Sequence, residues 1–420
     1  MMRKELLGRM FRTAAMIMIM SMLAVACSKN NGPEKPEDNT GQTTGPGGNG
    51  SGDQGGSGDQ GNSGNEGGSG DEGGNEGGTS GGDHGGSGGS GDQGDQPKPQ
   101  ITANSWMTAI DDDTKIAMLT IPGTHDAATS TCAGPGKCQT LTISGQLEHG
   151  VRAFDLRPTM DNNSTLGNIY HSILDTGVSM GDAMEYFDSF LKAHPGEGII
   201  VIMRYESERQ IFGSIAEDNY KTAMKNFLWN NRIYQSRMAA FNKSMTMKDL
   251  RGKILIISRN DLSPVSTFET AYTQWSHSNS VGEALQIYGT GGLGRIYVQD
   301  MYSAEKNGNS SEADFLAKKK ELVCKLLDIT VPFREYEQNN WVINYCSGYA
   351  GSALASDSYA KNAASTNPAA LEHIQAHTGK GFTGIVMMDY AGTDTYEVGG
   401  STFSVSGKSL TEALIMNNFQ

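Results

Sequence analysis

Two histidines of this 420-residue chain stand directly after short apolar runs, in company with charged side chains. The stretch "LTIPGTHD" presents His125 beside Asp126, and "IYHS" presents His171. Further apolar runs are followed by polar side chains, namely Asp155, Arg157, Arg259, Asp300, Tyr302 and Asp389. Two imidazoles can act as a base and an acid, and an arginine can neutralise charge on phosphorus. The set therefore has the parts that acid/base cleavage of a phosphodiester requires.

Each of these residues alone has an ordinary structural explanation. An aspartate at the end of a strand is most often a helix cap, and a single arginine is most often in a surface ion pair. In a parallel barrel, however, the carboxyl ends of all strands meet at one mouth, where active sites form. Several polar residues at successive strand ends therefore predict one shared site.

Seven apolar runs rich in Ile, Val and aromatic residues predict the strands that would hold this site. They cover residues 115–121, 151–157, 198–205, 253–259, 295–302, 341–347 and 383–390. Helical patterns lie between several of them, over residues 179–196, 310–329 and 367–379. Strands that are apolar almost throughout are typical of a parallel sheet covered on both faces. The alternation favours an α/β fold with a (β/α) barrel, and a doubly wound sheet is the alternative that the spacing also allows.

The N-terminus has the pattern of an export signal. Basic residues between positions 3 and 12 precede an apolar run over residues 14–26, which is too short to span a bilayer comfortably, and Cys27 follows. This resembles a bacterial lipoprotein signal. We expect a signal peptide over residues 1–26, lipidation of Cys27, and an exported, membrane-anchored protein facing the periplasm or the cell surface. Simple secretion is the alternative, because Leu23 stands one place earlier than usual.

A glycine-rich segment separates the N-terminus from the rest of the chain. Residues 41–96 contain 26 glycines and nine acidic residues, with no lysine or arginine. Such a segment cannot bury enough apolar surface to offset the entropy of ordering it. We therefore expect a flexible tether over residues 27–96 and one catalytic domain over residues 97–420. That domain is only mildly acidic and has no basic stripe, which argues against nucleic acid as a partner.

Four cysteines fall in the predicted domain: Cys132, Cys138, Cys324 and Cys346. An even number in an exported protein predicts two disulfides, with three possible pairings. The close Cys132 and Cys138 pair would then join the ends of a Gly/Pro-rich loop. A zinc site is the competing interpretation, but the chain has no CxxC motif and no histidine at the spacing of zinc ligands.

A glycine motif at residues 289–294, "GTGGLG", fits the pattern GxGxxG. It precedes a predicted strand, whereas a dinucleotide site needs these glycines after a strand and at the start of a helix. We interpret it as a loop and expect no cofactor. Trp106, Trp229 and Trp275 could anchor a membrane-facing rim, but core packing is the better default for each.

The motifs together resemble the bacterial phosphatidylinositol-specific phospholipases C. The resemblance extends over residues 106–418 and rests on six motifs in the family's order: "IPGTHDA", "GVRAFDLRPT", "IYHS", "RGKILIISR", "YVQDMYS" and "GIVMMDYAG". It implies a distorted (β/α) TIM-type barrel. It also implies a monomer that acts on phosphatidylinositol at a membrane surface, with no metal.

The resemblance also implies a role for each candidate residue. His125 matches the general base, which activates the inositol 2-hydroxyl, and His171 matches the general acid. Asp389 matches the carboxylate that orients the base, and Asp126 the residue that assists the acid. Arg157 matches the arginine that neutralises the phosphate. Its neighbour Asp155, together with Arg259, Asp300 and Tyr302, matches substrate-binding positions, with Tyr302 stacking on the inositol ring.

One position departs from the family pattern. Where the family has a lysine near the inositol, this chain has Glu206 or Ser207 in "MRYESE". A carboxylate would disfavour a phosphorylated ring, so we expect unphosphorylated phosphatidylinositol, with glycosylated anchors as further candidates. The alternatives are a metal-dependent phosphodiesterase of related fold and a non-catalytic lipoprotein that binds lipid or glycan.

Overall fold

The structure of the chain is a computed structural model that describes residues 101–206, 217–263, 270–275, 280–303, 311–330, 339–377 and 381–420. The predicted signal peptide, Cys27 and the predicted tether lie outside the described residues, so these assignments and the domain boundaries stay predictions. Among the described residues, no helix is both long and apolar enough to cross a membrane.

Fourteen strands are present in the described part of the chain. They are β1 (Thr120–Thr124), β2 (Ala153–Leu156), β3 (Pro158–Met160), β4 (Leu166–His171), β5 (Leu174–Ser179), β6 (Ile199–Met203), β7 (Ile254–Ser258), β8 (Ala271–Tyr272), β9 (Glu283–Gly289), β10 (Gly292–Gln299), β11 (Asn340–Tyr345), β12 (Gly384–Met388), β13 (Thr395–Val398) and β14 (Ser401–Ser404).

Nine of these strands form a closed barrel in the order β1-β12-β11-β10-β9-β8-β7-β6-β2. All neighbouring pairs are parallel except β8 with β9 and β9 with β10. The prediction of an α/β fold with a distorted (β/α) TIM-type barrel is therefore confirmed. The distortion is the antiparallel strand β9. Its turn into β10 is the "GTGGLG" motif, so these glycines do not begin a helix.

Each of the seven predicted strands corresponds to a barrel strand, but the first one is displaced. Residues Ile116–Met118 form a turn of 3-10 helix, and β1 begins only at Thr120 and continues to Thr124. The Pro-Gly-Thr segment is therefore part of the strand and not a turn that ends it. Gly123 is required there because a Cβ atom would collide with the side chains of Met387 and Ala153.

Side chains alternate between the two faces of the barrel wall. One set packs together inside the barrel, including Ile121, Ala153, Ile202, Ile257, Val298, Ile343 and Met387. Their neighbours in sequence pack against the helices, including Phe154, Val201, Ile256 and Met388. The strands therefore bury both faces, which explains why their sequences are apolar almost throughout.

Eight α-helices are present in the described part of the chain. They are α1 (Ile143–Glu148), α2 (Met180–Ala193), α3 (Glu217–Asn230), α4 (Arg232–Arg237), α5 (Met247–Leu250), α6 (Glu312–Thr330), α7 (Ser358–Ala376) and α8 (Gly407–Met416).

The three predicted helices are present as α2, α6 and α7. A capping box between Ser179 and Asp182 begins α2, and the Ser311 hydroxyl accepts the Asp314 N–H in the first turn of α6. The prediction for α7 was wrong at its start, because the helix begins at Ser358 and contains Pro368. The alanine-rich segment before Pro368 forms helix readily and outweighs the hydrogen bond that the proline removes.

Two small sheets lie outside the barrel. Strands β3, β4 and β5 form a three-stranded antiparallel sheet between β2 and α2, and β13 pairs with β14. The first of these sheets is an insert that follows β2 of the barrel. His171 is the last residue of β4, so this insert positions one of the two candidate catalytic histidines.

The predicted disulfides are not formed in the structure, where Cys132, Cys138, Cys324 and Cys346 are all thiols. Cys138 and Cys346 are fully buried, and burial raises the pKa of each thiol.

The tryptophan predictions had mixed outcomes. Trp106 is in the core, and its indole N–H donates to the Gly150 carbonyl. Trp229 is 64% exposed, so core packing was the wrong default there. Its ring is covered instead by the Lys225 ammonium, 4.5 Å from the ring centroid. Trp275 is partly buried and belongs to the candidate site described below.

Candidate active site

The candidate site residues continue the inward-facing positions of the barrel strands. On β1, Ile121 and Gly123 are followed by His125, and on β12, Ile385 and Met387 are followed by Asp389. The same spacing of two gives Asp155 and Arg157 after Ala153, Arg259 after Ile257, and Asp300 after Val298. Side chains two apart on a strand point the same way. The barrel thus directs these six groups to one mouth.

His125 is held between two carboxylates. Its Nδ1 lies 2.9 Å from Oδ1 of Asp389, and its Nε2 lies 3.3 Å from Oδ2 of Asp126. Burial lowers the pKa of His125, but the charges of Asp126 and Asp389 outweigh burial and raise it above the ordinary value of 6.5. An ionised Asp389 can only accept, so Nδ1 carries the shared proton and Nε2 is left to exchange a proton at the mouth.

Asp126 lies at the centre of the cluster, in a left-handed backbone conformation with φ of 43°. Its Oδ1 forms an ion pair with Arg157, 3.1 Å from Nε, and its Oδ2 lies 3.5 Å from Nε2 of His171. Burial raises the pKa of Asp126, but Arg157 and the two histidines lower it to about 2. Asp126 is therefore ionised and close to both imidazoles, not to the predicted acid alone.

Arg157 bridges two buried carboxylates. Besides Asp126, it contacts Oδ2 of Asp155 through Nη2 at 2.8 Å. Burial lowers the pKa of Arg157, but Asp126, Asp155 and Glu206 hold it well above the usual value. A permanent cation is thus fixed beside the two histidines.

His171 is positioned by two groups from other parts of the chain. The Gly136 carbonyl lies 3.0 Å from Nδ1, and the Tyr359 hydroxyl lies 3.0 Å from Nε2. A carbonyl oxygen only accepts, so Nδ1 carries a proton and Nε2 is the atom that can exchange one at the mouth. Tyr359, in the first turn of α7, was missed by the sequence analysis because a tyrosine at a helix start has no distinguishing pattern.

Gln139 ties together the ends of the two strands that carry His125 and Asp389. Its side-chain amide donates to the carbonyls of His125 at 2.8 Å and Met388 at 2.9 Å, and its Oε1 accepts the Ala391 N–H. Asp389 itself is fully buried, and burial raises its pKa although the charge of His125 lowers it. Its Oδ2 receives no hydrogen bond from the described residues.

A second group of residues lies on the side of the mouth formed by β7, β10 and β11. Nη2 of Arg259 contacts Oδ2 of Asp300 at 3.0 Å, and the guanidinium stacks on Trp275, 4.2 Å from the ring centroid. The indole N–H of Trp275 also donates to Asp300 at 2.9 Å. Burial raises the pKa of Asp300, but Arg259, Lys319 and Trp275 lower it below its usual value.

Tyr345 joins the two sides of the mouth. Its ring lies 6.4 Å from the ring of His125 and 6.3 Å from that of Trp275, and it is fully buried. Its hydroxyl has no hydrogen-bond partner among the described residues. Tyr345 follows Ile343 at the same spacing of two, so the sequence carried a signal for it that was not used.

Lys319 is a fully buried lysine behind the barrel wall. It lies on α6 and donates to Oε1 of Gln299 at 3.1 Å, and the same oxygen accepts the Met301 N–H. Burial lowers the pKa of Lys319 to about 8, against the opposing charge of Asp300. Lys319 is thus a third cation near the mouth.

Tyr302 makes an aromatic contact with Tyr349. Its ring lies 6.3 Å from Tyr349, which in turn lies 6.0 Å from Tyr359, the partner of His171. The predicted stacking position is therefore connected to the histidine side of the mouth.

Glu206, one of the two residues at the position of the family lysine, is buried beyond the end of β6, and its Oε1 lies 3.8 Å from Nη2 of Arg204. Ser207 lies outside the described residues. The negative charge of Glu206 helps to raise the pKa of Arg157.

A divalent ion would compete with Arg157 for its ligands. His125, Asp126 and Asp155 have ligand atoms within 4.8 Å of one another. Both carboxylates, however, are already paired with the guanidinium of Arg157. Like charges repel, so this group does not suit a metal ion while the arginine is in place.

The fold and the site define a closed α/β barrel whose mouth holds two histidines, two arginines and four aspartates. Residues 121–260 match the family model described as "Phosphatidylinositol-specific phospholipase C, X domain". This segment contains His125, Asp126, Arg157 and His171.

Relatives and solved structures match beyond that segment. The chain is 36% identical over 171 residues to a 1-phosphatidylinositol phosphodiesterase of Listeria monocytogenes, covering 39% of this chain and 51% of the relative. A protein of the same name from Staphylococcus aureus is 25% identical over 299 residues, covering 69% and 88%. A variant of the phosphatidylinositol-specific phospholipase C from Staphylococcus aureus superposes with a TM-score of 0.59 at 23% identity, covering 76% of this chain and 97% of that one.

The enzyme from Listeria monocytogenes superposes with a TM-score of 0.53 at 22% identity, covering 76% of this chain and 100% of that one. These structural likenesses concern the fold. The match of residues 121–260 to the family model and the two relatives show that the chain is similar to phosphatidylinositol-specific phospholipases C, and it spans about half the length of the relative from Listeria monocytogenes.

Proposed function

We propose that this chain cleaves phosphatidylinositol to diacylglycerol and inositol 1,2-cyclic phosphate without a divalent metal. The observation that carries the proposal is the bridge of Arg157 between Asp126 and Asp155, directly beside the two histidines. The match to the family model supports the substrate, and two similar proteins are named 1-phosphatidylinositol phosphodiesterase.

In the first half of the proposed reaction, Nε2 of His125 takes the proton of the inositol 2-hydroxyl. The oxygen then attacks phosphorus within the same molecule. Asp389 stabilises the imidazolium that forms, because its Oδ1 stays bonded to Nδ1–H. Asp389 is fully buried, which strengthens this interaction by excluding water.

In the second half, protonated His171 gives its Nε2 proton to the leaving diacylglycerol oxygen. The carbonyl of Gly136 fixes the other ring nitrogen as a donor, and Tyr359 holds the ring orientation. Nε2 of His125 and Nε2 of His171 both lie close to Oδ2 of Asp126. The base and the acid can therefore act on opposite sides of one phosphate group.

Arg157 supplies the positive charge for the transition state. Negative charge builds up on the non-bridging oxygens of phosphorus, and a fixed donor beside them lowers the barrier. A guanidinium presents planar donors to phosphate oxygens and cannot be deprotonated in a protein. It can therefore replace a divalent ion at this place.

The Arg259 side of the mouth supports recognition of the inositol ring. Asp300 and Arg259 offer an acceptor and donors for ring hydroxyls, and the hydroxyl of Tyr345 has no partner among the described residues. Glu206 near Arg157 adds negative charge, which disfavours further phosphates on the ring. Unphosphorylated phosphatidylinositol is thus the preferred substrate, with glycosylated anchors as further candidates.

The natural setting is proposed from the sequence. Residues 1–26 would direct export, Cys27 would be lipidated, and residues 27–96 would let the domain reach a lipid surface as a monomer. Labelling cells with a radioactive fatty acid tests this, because Cys27→Ser should abolish incorporation.

The decisive test of the activity is turnover of phosphatidylinositol with detection of the cyclic product, in excess chelator and with added calcium. We expect equal rates in both conditions for the parent, and a large loss in Arg157→Lys, which keeps the charge but loses the planar fork. If chelator abolishes activity and calcium restores it, Asp126, Asp155 and Glu206 are metal ligands. If no product forms in any condition, the chain is a binding protein.

A further inference from the structure

Cys138 lies against the catalytic histidine without a role in the proposed reaction. Its sulfur, one nitrogen of His125 and one oxygen of Asp389 lie within 4.8 Å of one another, and all three residues are buried. We call these three residues the thiol cluster. The backbone N–H of Cys138 donates to Oγ1 of Thr129, and its carbonyl accepts the Tyr390 N–H, so the loop position of the thiol is fixed.

The thiol cluster also contains a hydrogen-bond acceptor that has no donor among the described residues. Oδ2 of Asp389 receives no hydrogen bond from the described residues, although the side chain is 0% exposed. A buried carboxylate oxygen without a donor costs free energy, and a cation would remove that cost. This oxygen is a second observation, independent of the cysteine, that points to a cation at this place.

We propose that the thiol cluster binds a thiophilic divalent cation such as Zn²⁺, and that binding inhibits the enzyme. Cysteine sulfur, imidazole nitrogen and carboxylate oxygen are the usual zinc ligands, at about 2.0 to 2.3 Å from the ion. Ligand atoms within 4.8 Å of one another can reach such an ion with small side-chain shifts. That the cluster binds a cation is inferred from its geometry alone. That binding inhibits the enzyme rests on the proposed function.

Two other groups of potential ligands are less suitable. Asp126, Cys138 and His171 are equally close, but Asp126 is paired with Arg157 at 3.1 Å, which repels a second cation. The group of Asp328 on α6, His373 on α7 and His377 directly after α7 has no cysteine, and Asp328 is exposed. The thiol cluster combines a soft ligand with the carboxylate of Asp389, whose ion pair among the described residues is with His125 and not with Arg157.

Binding exchanges protons for the metal and conserves charge. Zn²⁺ displaces the thiol proton of Cys138 and the Nδ1 proton of a charged His125, so two protons leave as one Zn²⁺ enters. The thiolate, the Asp389 carboxylate and the ion then form a neutral group, as burial requires. The imidazole keeps its proton on Nε2, beside Asp126, and therefore cannot accept one from the substrate.

Metal binding is tested first without any measurement of activity. Co²⁺ is titrated into the full-length protein, where a thiolate ligand gives a charge-transfer band, and the affinity for Zn²⁺ follows from its displacement of Co²⁺. We expect the band in the parent, its loss in Cys138→Ser, and its persistence in Cys132→Ser, a matched change in the same buried loop. Zn²⁺ affinity should fall at least about tenfold in Cys138→Ser, since even changes behind a ligand cost that much.

Activity is measured second, with phosphatidylinositol and increasing Zn²⁺. We expect the parent and Cys132→Ser to be inhibited and then rescued by chelator. Cys138→Ser should have the metal-free rate and thermal unfolding of the parent but resist inhibition. A band that persists in Cys138→Ser, or equal inhibition of both variants, overturns the proposal. A cobalt band that depends on Cys138 in a protein without turnover would refute the proposed function and leave the metal site intact.

Discussion

The two sides of the barrel mouth both contain an arginine paired with aspartate, but the pairs have different roles. On the histidine side, Arg157 is divided between Asp126 and Asp155. On the opposite side, Arg259 is paired with Asp300 and stacked on Trp275. The first arrangement adds two imidazoles within reach of one carboxylate oxygen, whereas the second adds the indole of Trp275, which donates to Asp300.

The difference separates chemistry from recognition. Groups that transfer protons must be able to gain and lose charge. His125 and His171 are such groups, and both lie on the histidine side. Groups that recognise a ring need fixed donors and acceptors beside apolar surface. Changes on the histidine side should therefore lower kcat, and changes on the Arg259 side should mainly raise KM.

The largest effect is expected from His125→Ala and His171→Ala. Each should lower kcat by about a hundredfold to ten-thousandfold, because a positioned base or acid contributes that much. Turnover and thermal unfolding measured on the same preparations check this. An active His125→Ala protein with unchanged kcat would refute the assignment of the base.

Asp389→Asn should cost less than His125→Ala but still more than about tenfold in kcat, because the amide can orient the imidazole but cannot stabilise its charge. The pH profile sharpens this prediction. The raised pKa of His125 means that its base form is lost as pH falls through a value above 6.5. The acid limb of kcat/KM should lie there in the parent and move to lower pH in Asp389→Asn. If the acid limb of the pH profile lies at the same pH in Asp389→Asn, a group other than His125 limits the rate.

On the Arg259 side, Asp300→Asn should raise KM about tenfold with a smaller change in kcat, since a hydrogen bond to a charged group contributes about 1.5 to 3 kcal/mol. Thermal unfolding must accompany this measurement because the change leaves Arg259 without its paired charge. If kcat falls while KM stays constant, Asp300 takes part in the chemical step, and the two sides of the mouth do not differ in role.

Tyr345→Phe tests the same side through stability. Its buried hydroxyl lacks a partner among the described residues. Removing the hydroxyl should therefore raise the free energy of unfolding by about 1 kcal/mol, while KM rises several-fold. Chemical denaturation and steady-state kinetics give the two values. A loss of stability would mean that the hydroxyl is satisfied in solution.

The smallest effect is expected from deletion of residues 1–96. A segment with almost no large apolar side chains beyond residue 40 has little with which to pack on the barrel. The truncated protein should keep kcat and KM on a monomeric substrate to within about twofold. Failure of the truncated chain to fold would contradict the assignment of residues 27–96 as a tether.

Much of the barrel could be predicted because each strand buries both faces and so leaves a continuous apolar run. The site residues at strand ends could be predicted by the same logic. Tyr359, Gln139 and Lys319 could not, because they reach the mouth from helices and loops through tertiary contacts. The start of β1 was misplaced since the apolar residues before Thr120 pack as 3-10 turns, which the spacing alone does not distinguish.

The bridge of Arg157 also bears on regulation. A cation that belongs to the polypeptide is present at a fixed stoichiometry and responds to no change in ion concentration. An enzyme built in this way would need no calcium ion to complete its site, and its control would come from how much protein is made, from access to its lipid and from ions that bind elsewhere, such as at the thiol cluster.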